Sequence, residues 1–336
     1  MQFYSTNNKA LRVSFQEAVF NSLPQDKGLY MPEVIPQLDP YFIKNIQQYS
    51  LQEIAFTIAK AFIGSDIPDA DLKAIVDDAI NFEAPVKFLD AETAVLELFH
   101  GPSYAFKDFG ARFMSRIMGY FSKQGDQLLD VLVATSGDTG GAVASGFLGV
   151  EGTRVTILYP KGKVSKVQEE QLTTNGQNIR ALEVEGTFDD CQALVKQAFL
   201  DQSLRNKLQL ASANSINIAR LIPQSFYYFA AYAQAKKKGL NAPVVFSVPS
   251  GNFGNLSAGL MAYRMGLPVK AFIASCNENH PVADYLRTGE YKPVASVETI
   301  SNAMDVGSPS NFIRMRLLAG DEWSHVREII KGYFTD

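Results

Sequence analysis

The chain has 336 residues, enough to bury a large core and to form two or three domains or subdomains. Hydrophobic residues make up 46%, charged residues 20%, and the net charge is -4, which excludes a basic face for nucleic acid or an anionic membrane. Apolar runs are short and broken by charges such as Arg264 and Lys270, the N-terminus lacks a signal-peptide core, and two cysteines, Cys191 and Cys276, give neither a disulfide framework nor zinc spacing. The expectation is a cytoplasmic enzyme with no membrane, nucleic-acid or metal partner.

Residues 1–90 carry Pro24, Pro32, Pro36, Pro40 and Pro68 and mostly helical patterns, over 51–63 and over 69–80, the second capped by Asp69. They are expected to form a small, mainly helical N-terminal domain. Residues 95–99 read as a short strand, broken by Gly101 and Pro102, after which Ser103 can cap a helix. Phe106, Phe109, Phe113, Ile117 and Phe121 then recur at helical spacing. Lys107 falls in the first turn of that helix, where the dipole favours an acid rather than a lysine. With apolar neighbours its neutral amine would be favoured, and neutral amines attack aldehydes. The plain alternative is a surface lysine lying over Phe106 and paired with Asp108.

Residues 91–336 read as a second domain of alternating apolar strands and helices, with a smaller subdomain over roughly 120–212. Strands are expected at 129–134, 155–159, 179–184, 244–248 and 270–274, and helices at 141–147, 164–173, 189–199, 218–237 and 256–265. Pro223 would shape the start of the helix from 218. This pattern predicts α/β architecture, parallel sheets covered by helices on both faces. Ligands then bind where strand carboxyl ends meet helix N-termini.

Two glycine turns fall there. Thr135-Ser-Gly-Asp-Thr-Gly-Gly141 follows one strand, and Pro249-Ser-Gly-Asn-Phe-Gly-Asn255 follows another. Each offers backbone N–H groups at the positive end of a helix, suited to a phosphorylated cofactor and a carboxylate-bearing substrate. Glycines that merely permit a tight turn are the ordinary alternative. A dinucleotide fingerprint, a Walker loop, a nucleophile elbow and a zinc-protease motif are all absent, and His100, His280 and His325 stand apart.

His100-Gly-Pro-Ser-Tyr-Ala-Phe-Lys-Asp-Phe109, Thr135-Ser-Gly-Asp-Thr-Gly140 and Ser250-Gly-Asn-Phe-Gly-Asn255 resemble the three signature segments of the threonine synthases. These belong to the fold-type-II pyridoxal-phosphate enzymes, with tryptophan synthase β and cysteine synthase. Tyr159-Pro-Lys-Gly-Lys-Val-Ser165, Ser212-Ala-Asn-Ser-Ile-Asn-Ile-Ala-Arg220, Ser301-Asn-Ala-Met-Asp-Val306 and Gly28-Leu-Tyr-Met-Pro32 extend the likeness, the last toward the longer bacterial and fungal branch.

The resemblance implies conversion of O-phospho-L-homoserine and water to L-threonine and phosphate. Lys107 would hold pyridoxal 5'-phosphate covalently and later shuttle protons, with Phe106 beside it. Ser250, Gly251, Asn252, Phe253, Gly254 and Asn255 would hold the cofactor phosphate. Asp138 would lie near the ring oxygen, at a position where other branches carry Asn. Ser103, Ser136, Gly137 and Thr139 would receive the substrate. Lys161, Lys163, Ser165, Asn214, Ser215, Asn217 and Arg220 are candidates for its phosphate, with Arg220 preferred because its fork matches two oxygens. Solvated lysines and helix-capping asparagines are the alternatives for several of them. Position 103 is Ser where Thr is the family's residue. Family members also continue past Asp336 with a segment carrying the hydroxyl that meets the ring nitrogen, so the resemblance implies a C-terminally incomplete site here. A serine/threonine dehydratase-like enzyme and a non-catalytic cofactor-binding relative are the competing functions.

Overall fold

Leu129-Asp-Val-Leu-Val-Ala134 is almost wholly buried, as expected of a strand covered on both faces. In the computed structural model, which describes residues 1–125 and 128–334, it lies inside a four-stranded parallel sheet. The order is Ile179–Val184, Thr153–Pro160, Leu129–Ala134, Gln209–Ser212. The chain runs outward from Leu129–Ala134 in one direction, then returns to pair on its other side through Gln209–Ser212. That reversal is a topological switch point, and the turn beginning at Thr135 leaves the sheet there.

The contacts group the chain into two units, Met1–Tyr30 with Ile63–Arg220, and Met31–Phe62 with the residues from Leu221 onward. The first 90 residues are thus shared between the units in this grouping. In the first unit the helix Lys107–Ser122 buries Phe109, Phe113, Ile117 and Phe121, as the 3.6-residue spacing requires. Phe15 and Phe20 meet Phe121 edge-on. Arg112 reaches back to the carbonyls of Asp78 and Ala79, which end the helix Asp69–Ala79. Asp69 is the first residue of that helix rather than its cap, Pro68 taking the cap position; its charge still suits the helix N-terminus.

The second unit holds a three-stranded parallel sheet, Val244–Pro249, Val269–Cys276, Ile330–Phe334. Phe246 stacks on Phe272, and Tyr228 from the helix Phe226–Lys237 meets both edge-on. Burial alternates along Val244–Pro249, and Val245 is 48% exposed, so this edge strand is covered less fully than its composition implies.

The five expected strands form within two residues of their expected ends. Gln209–Ser212 and Ile330–Phe334 are additional. Ala94–Leu96 is shorter than expected and pairs antiparallel with Val86–Phe88, outside both parallel sheets. The long helix from 218 is interrupted: Ile218–Leu221, a 3-10 turn Ile222–Ser225, then Phe226–Lys237. Pro223 has no N–H to give and its ring crowds the preceding turn, so the hydrogen-bond ladder tightens there.

Phe113→Ala should cost about 3–5 kcal/mol, because the ring is 0% exposed and leaves a cavity. Urea unfolding monitored by circular dichroism measures it; a loss below about 1 kcal/mol would show that the helix is not anchored by this face.

Candidate active site

Lys107 opens its helix after a turn organised by its neighbour in sequence. The Ser103 N–H and hydroxyl donate to the Asp108 carboxylate at 2.9 and 2.7 Å. Tyr104 takes a left-handed conformation with φ 57°, and its N–H donates to the Gly101 carbonyl. Ser103 therefore does not cap the helix as expected; its hydroxyl is used by Asp108, which is 0% exposed. Burial pushes the Asp108 carboxyl above its ordinary range, against the lowering effect of the two Ser103 bonds and the Arg112 charge. Nor does Asp108 pair with Lys107, since successive helical side chains point in different directions.

The Lys107 side chain is 13% exposed, and Nζ lies 5.0 Å from the centroid of the Phe106 ring. Its surroundings are not purely apolar, contrary to the expectation. Nζ donates to Asp138 Oδ2 at 2.9 Å. Asp138 Oδ1 accepts from Gln168 Nε2 at 2.8 Å. Burial tends to raise the Asp138 carboxyl, but the Lys107 charge and the bonds from Lys107 and Gln168 outweigh it and hold the group below its ordinary value. Gln168, the third residue of the helix Lys166–Thr173, closes a capping box: its Oε1 accepts from the Ser165 N–H while the Ser165 hydroxyl accepts from the Gln168 N–H. Sequence reasoning missed Gln168, though the Ser-x-x-Gln spacing was a usable signal.

The turn before Asp138 has its own fastening. The Thr135 hydroxyl accepts from the N–H groups of Gly137 and Gly140 at 2.9 and 2.8 Å. Gly137 has φ 137°, a conformation that favours glycine, and a Cβ there would stand 2.3 Å from Gln168 Cδ and displace that amide from Asp138. Asp138 and Thr139 open the helix Asp138–Phe147, where the helix supplies no carbonyl for their N–H groups. Ser136 is half-buried beside them.

The other residues of the first unit divide by exposure. Asn214 Nδ2 donates to the Ala134 carbonyl and Oδ1 accepts from its N–H, latching the loop to the strand end. Ser215 is half-buried next to it. Asn217 is 0% exposed; its Nδ2 lies within hydrogen-bond distance of the Val19 and Ser212 carbonyls and Ser22 Oγ, and its Oδ1 accepts from Ala219 N–H. These bonds fasten the interior. Arg220 is 2% exposed and donates from Nη1 to the Ala213 carbonyl, and burial pushes its guanidinium down to about 10 although Asp108 opposes this. The guanidinium preferred on sequence for the substrate phosphate is therefore buried, with Nη1 on a backbone carbonyl. Lys161 is exposed and paired with Glu185 at 2.5 Å, Lys163 is exposed on the same loop, and Ser165 caps a helix.

In the second unit the Ser250 N–H donates to the Ser275 carbonyl of the neighbouring strand. The Ser250 hydroxyl donates to Asn255 Oδ1 at 2.9 Å, Asn255 Nδ2 donates to the Pro249 carbonyl, and Leu256 N–H donates to Asn255 Oδ1. Asn255 thus closes the turn on itself. Phe253 is 2% exposed, with φ 58°, and starts the helix Gly254–Arg264. Side chains here serve the turn, and with Leu256 N–H taken by Asn255 the earlier first-turn N–H groups, those of Gly254 and Asn255, have no carbonyl of the helix to meet. In the first unit, a lysine amine is the group that an aldehyde cofactor requires; in the second, the remaining turn amides suit a phosphate group.

Residues 2–80 match the family described as "Threonine synthase N terminus", and residues 88–326 the family "Pyridoxal-phosphate dependent enzyme". The chain is 48% identical over 336 residues to the threonine synthase of Haemophilus influenzae, covering all of this chain and 78% of that protein. Its fold matches the crystal structure of threonine synthase from Escherichia coli with a TM-score of 0.93 and 43% identity, over 100% of this chain and 78% of the other. The pyridoxal-phosphate-bound threonine synthase of Brucella melitensis matches with a TM-score of 0.92 and 36% identity, over 100% and 78%. The chain belongs to the threonine synthase family and has the fold-type-II architecture of pyridoxal-phosphate enzymes.

Because the folded Asp138 carboxyl lies below its ordinary value of 3.8, its pairing stabilises the cofactor-free protein above about pH 4 and is lost as pH falls through the lowered value. The stability gap between wild type and Asp138→Asn should therefore narrow below about pH 4. Urea unfolding at several pH values measures this; a gap constant down to pH 3, or widening there, would show that the carboxylate is not the stabilising form.

Proposed function

We propose that this member of the threonine synthase family converts O-phospho-L-homoserine and water to L-threonine and phosphate, using pyridoxal phosphate, in the cytoplasm. The observation that carries the reading is a largely buried lysine amine at a helix N-terminus, held by a carboxylate, beside a glycine turn at the sheet's switch point. When bound, the cofactor supplies an electron sink for carbanions formed at the amino-acid carbons.

Lys107 would hold the cofactor covalently, and its amine, once freed by the incoming amino group, would accept and return protons at Nζ. Asp138 Oδ2 orients that Nζ, and Gln168 fixes Asp138 in turn. Asp138 thus faces the lysine as its anionic partner, which separates this chain from branches with Asn. The first-turn N–H groups at 138 and 139, with Ser136, would take the substrate carboxylate. The N–H groups of residues 251–255 would take the cofactor phosphate, with Ser250 and Asn255 holding the turn's shape. For the leaving phosphate, the exposed Lys163 is the favoured cation among the candidates. Lys161 would first have to leave Glu185, while Asn217 and Arg220 act from the interior.

Purified protein loaded with pyridoxal phosphate should show a visible absorbance band that borohydride bleaches, and should release phosphate from O-phosphohomoserine. Lys107→Ala should lose both, the rate falling by several orders of magnitude. Ammonia release from threonine without phosphate release would replace the reading with a dehydratase. Undiminished turnover by Lys107→Ala would remove the lysine from the chemistry.

A further inference from the structure

The segment 299–311 includes Ser301-Asn-Ala-Met-Asp-Val306, which none of the roles above uses. In the second unit it folds around two asparagines that leave the carboxyl end of the strand Val269–Cys276. Asn277 and Asn279 are 9% and 3% exposed. Asn277 Nδ2 lies 2.8 Å from Thr299 Oγ1, 3.0 Å from Ser301 Oγ and 2.8 Å from Asp305 Oδ1. Asn279 pairs through both ends of its amide with the Val297 backbone and also donates to Asp305. Asp305 accepts from the Thr299 N–H at 2.9 Å and the Thr299 hydroxyl at 2.7 Å. Hydrogen bonds to a carboxylate are stronger than neutral ones, and amides buried around it lose partners if it is removed.

This network ends on the glycine turn. A Cβ on Gly251 would lie 2.8 Å from Met304 Cα, so the backbone of the two segments is in direct contact. On the next residue, Asn252 Oδ1 accepts from the Ser310 N–H and the Asn252 carbonyl accepts from the Asn311 N–H. Successive residues of the turn are thus fastened at two points of the same segment. An anion site made of backbone amides depends on their being held in place before the anion arrives.

We propose that the segment 299–311, braced by Asn277, Asn279 and Asp305, is a clamp that positions the turn 250–255 and so sets the affinity for the phosphate group of the cofactor. The proposal rests on the reading of that turn as the phosphate site. Thr299, Asn277 and Asp305 are positioning residues, since they act through the turn.

The test compares Thr299→Val, Thr299→Ser and Asp305→Asn in the full chain with Ser250→Ala in the turn itself. The dissociation constants of pyridoxal phosphate and of pyridoxal, which lacks the phosphate, are measured by absorbance titration, beside the unfolding midpoint of the cofactor-free protein. Thr299→Val and Asp305→Asn should each weaken pyridoxal phosphate about tenfold, the loss of roughly one good hydrogen bond to a charged group. Pyridoxal should bind within about twofold of wild type, and Thr299→Ser should restore the affinity for the phosphorylated cofactor. The milder Thr299 pair keeps the test decisive if Asp305→Asn does not fold. Equal weakening of both ligands, or a lowered unfolding midpoint with unchanged affinity for the phosphate form, would overturn the clamp and leave a purely structural role. If Ser250→Ala also leaves pyridoxal phosphate binding unchanged, the phosphate reading of the turn falls with it; if Ser250→Ala alone weakens it, only the clamp falls.

Discussion

A lysine ammonium at the N-terminal end of a helix faces the positive end of the helix dipole. Asp138 answers that problem from the same end of another helix, Asp138–Phe147, where a carboxylate is favoured. Each charge is thereby matched by the other. Gln168 holds the second carboxylate oxygen and is itself held by the Ser165 capping box. A side chain at Gly137 would push the Gln168 amide away from Asp138. One ion pair therefore links the glycine turn, the neighbouring helix cap and the Lys107 amine of the first unit.

The two glycine turns reach a similar end by different fastenings. In one, the Thr135 hydroxyl takes two N–H groups of the turn. In the other, the Asn255 side chain bridges Pro249, Ser250 and Leu256. In both, side chains hold the loop and take the third first-turn amide, Gly140 or Leu256, while the two amides before it meet no carbonyl of their own helix. This suits recognition of anions, because amides held in place need no reorganisation when charge arrives.

Burial separates residues that look alike in sequence. Asn214, Asn217 and Arg220 lie within one short segment and all carry groups able to bind phosphate. Asn214 latches a strand end, Asn217 is enclosed among backbone carbonyls, and Arg220 bonds the Ala213 carbonyl with its side chain desolvated. A desolvated guanidinium is costly unless its donors are met, whether by carbonyls of the interior or by a bound anion.

Much of the architecture was legible in the chain itself. Periodic apolar spacing located the helix face of Phe109, Phe113, Ile117 and Phe121, and short apolar runs located five strands of the two parallel sheets. Motif spacing pointed to Lys107 and to both glycine turns, because turn and helix-start chemistry is local in sequence. Only the tertiary structure decided which groups meet. Lys107 finds Asp138 across 31 positions, Asn277 finds Asp305 across 28, and Arg220 turns inward. A sequence records which side chains can donate, accept or carry charge. Their partners and their distance from water depend on packing between segments far apart in the chain, and that packing converts a capable residue into an active or a structural one.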